Sequence, residues 1–145
     1  GLDFAIPSGW QEQTPSSSMR IAQMTIPGDA GPAELAVFFF GVGGGGGLEA
    51  NLERWGGQMD ATGPVKREAF ESNGLRITWI DVAGTVKPST TGMGPATPQS
   101  GSRLFGAVVE GEGGPWFFKA VGPDATLSAQ RDAWMAMLQS LKLAS

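Results

Sequence analysis

The sequence predicts an α+β domain, with a mainly antiparallel central sheet of about six to seven strands flanked by two main helices. Three observations carry that expectation. Alternating apolar runs are joined by connectors too short for a crossover. Asn73-Gly74 sits between two such runs and is a strong two-residue hairpin signal. Only two stretches place apolar residues at helical spacing. Strands joined this way lie antiparallel, and amphipathic helices then cover the sheet.

The first strong strands are residues 19–26 and 34–41, rich in β-branched and aromatic side chains and linked by "PGDAGP". Gly41 through Gly47 then break the strand. Leu48, Leu52, Trp55 and Met59 follow at i, i+4, i+7 and i+11, the stripe of a helix that packs on one side. Gly56 and Gly57 weaken its last turn, since glycine costs about 1 kcal/mol relative to alanine in a helix.

The Asn73-Gly74 hairpin comes next, with Ile77, Trp79 and Asp81 on one face of its second strand. "RLFGAVVEG" and "PWFFKAVG" form a further pair across the turn "GEGG". At the end, Leu127, Trp134, Leu138 and Leu141 line a helix from residue 124 onward, which Asp124 or Thr126 is placed to cap. Residues 87–101, "KPSTTGMGPATPQSG", have no apolar period, and a loop of this length in a compact domain is commonly functional or disordered.

Composition sets limits on what this domain does. A chain of 145 residues fits one domain spanning 1–145 and buries roughly 70% of its unfolded surface, enough for a core. Eight Phe, five Trp and six Met supply that core. The net charge is −4 and no basic stripe interleaves with aromatics, which argues against nucleic acid as a partner. No apolar run reaches the ~18 residues a transmembrane helix needs. The absence of Cys, His and Tyr excludes disulfides, thiolate nucleophiles, Ser-His-Asp triads and the usual zinc sites. The chain starts at Gly1 without an initiator Met and enters an apolar segment at once, which suggests a leader removed upstream.

"FFFGVGGGGGLEANLERW" contains a literal G-x-G-x-x-G at Gly41, Gly43 and Gly46. A dinucleotide site needs a parallel βαβ unit around that motif. Here hairpins flank it, no Gly-Lys-Ser/Thr follows, and Glu49 already places a negative charge at the helix N-terminus. The glycines therefore read as a joint between strand and helix.

Carboxylates are the remaining candidates for catalysis. Glu49 and Glu53 lie i, i+4 on an exposed helix face. Glu110 and Glu112 flank Gly111 but supply too few oxygens for calcium, so a hairpin turn accounts for them. Asp81 interrupts an apolar strand. An exposed position near a strand bend is the simpler reading, and if buried it needs Arg76, Arg103 or Lys119 as partner. The five tryptophans fall on core stripes, with Trp116, after a Gly-Gly-Pro turn, expected to be partly exposed.

"FAIPSGW" at the start, the "NLERW" helix, "FGAVVEGEGGPWFFKAVGP" and the closing "WMAMLQSL" together resemble an uncharacterised group of bacterial exported proteins with a PsbP-like α/β/α sandwich. PsbP proteins are extrinsic subunits on the lumenal side of photosystem II, and the Ran-binding import factors share their fold. The resemblance implies an exported, periplasmic or lipid-anchored location and no established activity. It carries over no metal-binding residue and no cofactor.

The expected function is thus a non-catalytic accessory or binding domain of the cell envelope, its partner another envelope protein. Met93, Pro95, Gln99, Trp116, Gly44 and Asp81 form the expected interaction surface. The alternatives are a small-ligand pocket gated by the 87–101 loop, and a carboxylate-based hydrolase around Asp81.

Overall fold

The computed structural model describes residues 1–89, 95 and 97–144. Its strands are β1 (Leu2–Asp3), β2 (Gln11–Gln13), β3 (Arg20–Ile26), β4 (Ala33–Phe38), β5 (Met59–Ala61), β6 (Lys66–Ser72), β7 (Leu75–Val86), β8 (Gln99–Glu110), β9 (Trp116–Pro123) and β10 (Lys142–Leu143). The helices are α1 (Leu48–Gly57), α2 (Asp124–Ala129) and α3 (Arg131–Ser140).

Eight strands form one sheet in the order β2-β3-β4-β9-β8-β7-β5, and β6 also pairs with β7. Every pairing among the described residues is antiparallel, as short connectors require for β3–β4, β6–β7 and β8–β9. β1 and β10 make a separate two-stranded pair that brings the chain ends together. Asn73 and Gly74 have φ of 52° and 79°, the doubly left-handed turn that joins β6 to β7 without splaying them.

Two counts differ from the sequence expectation. Among the described residues the main sheet has eight strands rather than six to seven, because β2 and β5 are three-residue strands too short to show an alternating pattern. Among the described residues there are three helices rather than two, since the C-terminal helical stretch divides at Gln130. That residue leaves helical geometry at φ −100°, ψ 9°, and its side chain accepts a 3.0 Å bond from Trp10 Nε1. Nor do Asp124 and Thr126 cap α2. Pro123 occupies the cap position, Asp124 binds Arg103, and Thr126 Oγ1 donates to the Gly31 carbonyl at 2.6 Å.

The sheet is buried on both faces, and the two are covered unequally. On one face Leu35, Ile77, Phe105 and Phe118 meet Leu127, Trp134, Leu138 and Leu141 of the C-terminal helices and the residue that follows them. Trp79, Phe105 and Trp134 pack there with ring centroids 5.4 to 6.0 Å apart. On the other face the ten-residue α1 sets Leu52 and Trp55 against Ile80, Val82, Leu104, Val108 and Phe117. Gly106 makes that approach possible, because a Cβ there would lie 2.4 Å from Trp55 Cε3. α1 is short, and its apolar contacts fall on β7, β8 and β9. Beyond its C-terminus the same face, on β3 and β4, carries Arg20, Glu34 and Phe38 beside a cleft.

Candidate functional site

Strand alternation decides what the cleft contains. The β4–β9 register places Glu34 opposite Val121, Ala36 opposite Lys119 and Phe38 opposite Phe117, so these side chains share the α1 face. Arg20 joins them from β3, opposite Phe38. The cleft has a volume of about 510 Å³, within the range of small-ligand sites. Ala36, Phe38 and Val121 make its apolar floor. Gly57 and Gln58 close one side at the end of α1, and Val86, Pro88 and Pro95 supply further apolar wall.

Backbone bonds anchor the wall that follows β7. Lys87 N–H donates to the Gln58 carbonyl at 2.8 Å, and Ser89 N–H donates to the Pro95 carbonyl at 2.8 Å. Gln58 therefore holds both sides of the site, because its side-chain oxygen also accepts a hydrogen bond from Lys119 Nζ.

Lys119 is the central charged group. It is half-buried, Gln58 is its hydrogen-bond acceptor, and no carboxylate pairs with it among the described residues. Burial, with smaller repulsion from Arg54 and Arg20 and partly offset by attraction to Glu34, pushes its pKa down from 10.5 to about 8. Arg20 differs, since its guanidinium donates to Glu34 at 2.6 Å and to Gln23 at 3.1 Å and lies over the Phe38 ring at 5.5 Å. Exposed Lys87 adds a third cation at the rim. With Glu34 as the carboxylate among its lining residues, the cleft is cationic in an otherwise acidic protein.

The opposite face holds a different cluster. Asp81 is 3% exposed, contrary to the exposed position expected from sequence. Its carboxylate pairs with Arg103 and, at 2.6 Å, with Arg131, while Arg103 also binds Asp124 at 2.6 Å. Although burial disfavours the Arg103 charge, its bonds to Asp124 and Asp81 hold its pKa above the ordinary value. Hydrogen bonding from Arg103 lowers the pKa of Asp124. The recess beside Asp81, Arg131 and Trp79 measures about 20 Å³, room for roughly one water.

Of the partners expected for Asp81, Arg103 is present. Arg76 is exposed and faces Glu71 at 3.7 Å, and Lys119 lies on the other side of the sheet. Arg131, which completes the cluster, comes from a helix whose approach strand patterns do not reveal.

The sequence-derived interaction surface does not form one site. Pro95 lines the cleft, whereas Met93 lies outside the described residues. Gln99 is exposed at the start of β8, opposite Val86. Trp116 is a correction: it is 3% exposed, in the core beneath α2 and α3, with its ring stacked 5.8 Å from Phe39. Asp81 belongs to the same covered face.

Gly44 is half-buried within the glycine joint. Gly41, Gly43, Gly45 and Gly46 there adopt φ of 91°, 73°, 88° and 84°. Buried Asn51 reaches back from α1 to the carbonyls of Gly45 and Gly47, each at 2.9 Å, and ties the joint to its helix. Glu49, at the helix start, is bound by both Nη atoms of Arg67. The residues that sequence reasoning missed as a group are Lys119, Gln58 and Arg20. The available signal was Lys119 itself, a lone cation inside "PWFFKAVG".

Among the described residues no group of three or more Asp or Glu side chains is placed to hold a metal ion. Nor is any helix among them long and apolar enough to cross a membrane. In comparisons with known proteins, no family model matches the chain and no curated protein matches it.

Proposed function

We propose that the protein is a non-catalytic binding domain of the bacterial cell envelope, exported and PsbP-like in fold, whose ligand site is the cleft beyond the end of α1. The observation that carries this reading is the cleft itself, about 510 Å³ of apolar floor and wall around one half-buried ammonium group. An apolar cavity with a few convergent polar groups suits a small ligand. The Asp81 cluster favours binding over hydrolysis, because both arginines are engaged with its carboxylate. An accessory role toward another envelope protein is compatible with a ligand-sensing cleft on one face.

A thermal-shift screen against a broad metabolite panel tests the reading, since a ligand that binds the native state raises Tm in a saturable way. A reproducible rise is expected from at least one compound. Ala36→Phe, which fills the floor, should abolish that rise while the far-UV circular dichroism stays unchanged. A panel without a saturable shift would overturn the proposal.

A further inference from the structure

We infer that the cleft takes a singly charged organic anion, a carboxylate carrying a compact apolar body, with the carboxylate seated on Lys119. The inference rests on the binding reading above and adds the chemical class of the ligand.

Three observations carry it. Lys119 Nζ has three donors, and its hydrogen bond within the described residues goes to the neutral amide oxygen of Gln58. A half-buried ammonium that no carboxylate pairs with among the described residues has donors and charge only partly compensated, which an arriving carboxylate would complete. The second observation concerns the count of charges. Glu34 already neutralises Arg20 at 2.6 Å, Lys87 is exposed at the rim, and Arg54 is exposed outside the lining and bonded to Asn51, so among the described residues Lys119 is the one inner cation without a paired carboxylate. One unmatched inner charge favours a monoanion over a phosphate dianion. The third is the surrounding surface. Ala36, Phe38 and Val121 below and Val86, Pro88 and Pro95 at the side form apolar walls suited to an alkyl or aryl group.

The same geometry sets a pH signature. With its pKa lowered to about 8 by burial and by Arg54 and Arg20, against a smaller opposing attraction from Glu34, Lys119 loses its proton in mildly alkaline solution, and an anion then loses its counter-charge.

Isothermal titration with matched sets separates the possibilities: 4-phenylbutyrate, 4-phenylbutanol and 4-phenylbutylamine, then octanoate, octanol and octylamine. At pH 7 at least one carboxylate should bind about tenfold more tightly than its alcohol, and the amines weakest of all. Raising the pH to 9.5 should weaken the carboxylate about fivefold or more and leave the alcohol unchanged. In Lys119→Met the carboxylate should fall to the affinity of the alcohol, which reports that the cleft still folds.

Equal binding of carboxylate and alcohol, preference for the amine, or a carboxylate preference that survives in Lys119→Met would overturn the inference and leave the binding reading standing. So would hits in the wider panel confined to neutral or cationic compounds. Inorganic phosphate binding as tightly as the carboxylates would overturn the apolar-body assignment. Silence from both the matched sets and the metabolite panel would remove the binding reading and the inference together.

Discussion

Asp81 and Lys119 lie on opposite faces of one sheet, each on an interior strand, the first buried and the second half-buried, and their surroundings differ in kind. Asp81 meets Arg103 and Arg131, and Arg103 in turn meets Asp124, so two cations pair with two carboxylates, with Lys66 and Glu68 at the edge of the recess. Lys119 has a neutral amide as partner, and the neighbours that act most on its charge after burial are two further cations. A buried ionic cluster holds when each member is matched, and removing one member is what destabilises it. A half-buried cation left unmatched opposes folding, and such groups recur at binding and catalytic sites. One face therefore carries a charge that the fold requires, and the other a charge that the fold tolerates.

The comparison breaks most visibly at Asp81. Asp81→Asn keeps the side-chain volume but leaves two arginines facing a neutral amide. Because Arg131 is 36% exposed and can turn toward solvent, the loss should fall at the lower end for a disrupted buried pair, about 3 kcal/mol. Urea denaturation followed by tryptophan fluorescence measures it, with Tm lowered by about 10 °C for a chain of this size. A loss below about 1 kcal/mol would mean that the cluster is no more structural than Lys119.

A second, smaller effect tests how the cleft side is built. Gly106→Ala puts a methyl group 2.4 Å from the Trp55 ring, so α1 must lift or its indole must turn. Overpacking of this kind costs about 2 kcal/mol. Gln58 follows directly on α1, so carboxylate binding should weaken in parallel while the Asp81 cluster stays intact. Titration calorimetry and urea denaturation on one preparation check both. Unchanged binding with lowered stability would separate the cleft from the helix seat.

How much of this was legible in advance follows from the range of each interaction. The hairpin at Asn73-Gly74 and the strand-to-helix joint at Gly41–Gly47 rest on neighbours in sequence, and both could be read there. Strand parity correctly put Ile77, Trp79 and Asp81 on one face. Parity along a single strand does not say which side of the sheet another strand presents, so Lys119 could be proposed as a partner for Asp81 when β8 pairing places it opposite Gly106, facing away. Arg131 and Gln130 depend on how the C-terminal helices dock, and Trp116 on how a turn folds under them. The cleft combines β3, β4, β9, the end of α1 and the segment after β7, a convergence that no local pattern encodes.

The smallest expected effect has the opposite sign, which makes it the sharpest test of the contrast. Lys119→Met replaces the ammonium by a thioether of similar length, keeping an apolar stem opposite Ala36 while removing the hydrogen bond to Gln58 and the penalty of a half-buried charge. Stability at pH 7 should rise by about 1 kcal/mol, because the cleft is open to solvent and the penalty is partly screened. The sign of the pH dependence follows from the proton count. The folded pKa of about 8 lies below the ordinary 10.5, so between these values the unfolded chain holds the extra proton and wild-type stability rises with pH on account of this group. Below pH 8 the penalty is present in full. The stability difference between variant and wild type should therefore be largest at pH 7 and shrink steadily toward pH 10.5, measured as paired urea midpoints. A destabilised Lys119→Met at pH 7, or a difference that widens with pH, would make Lys119 a structural group like Asp81 and erase the distinction between the two faces.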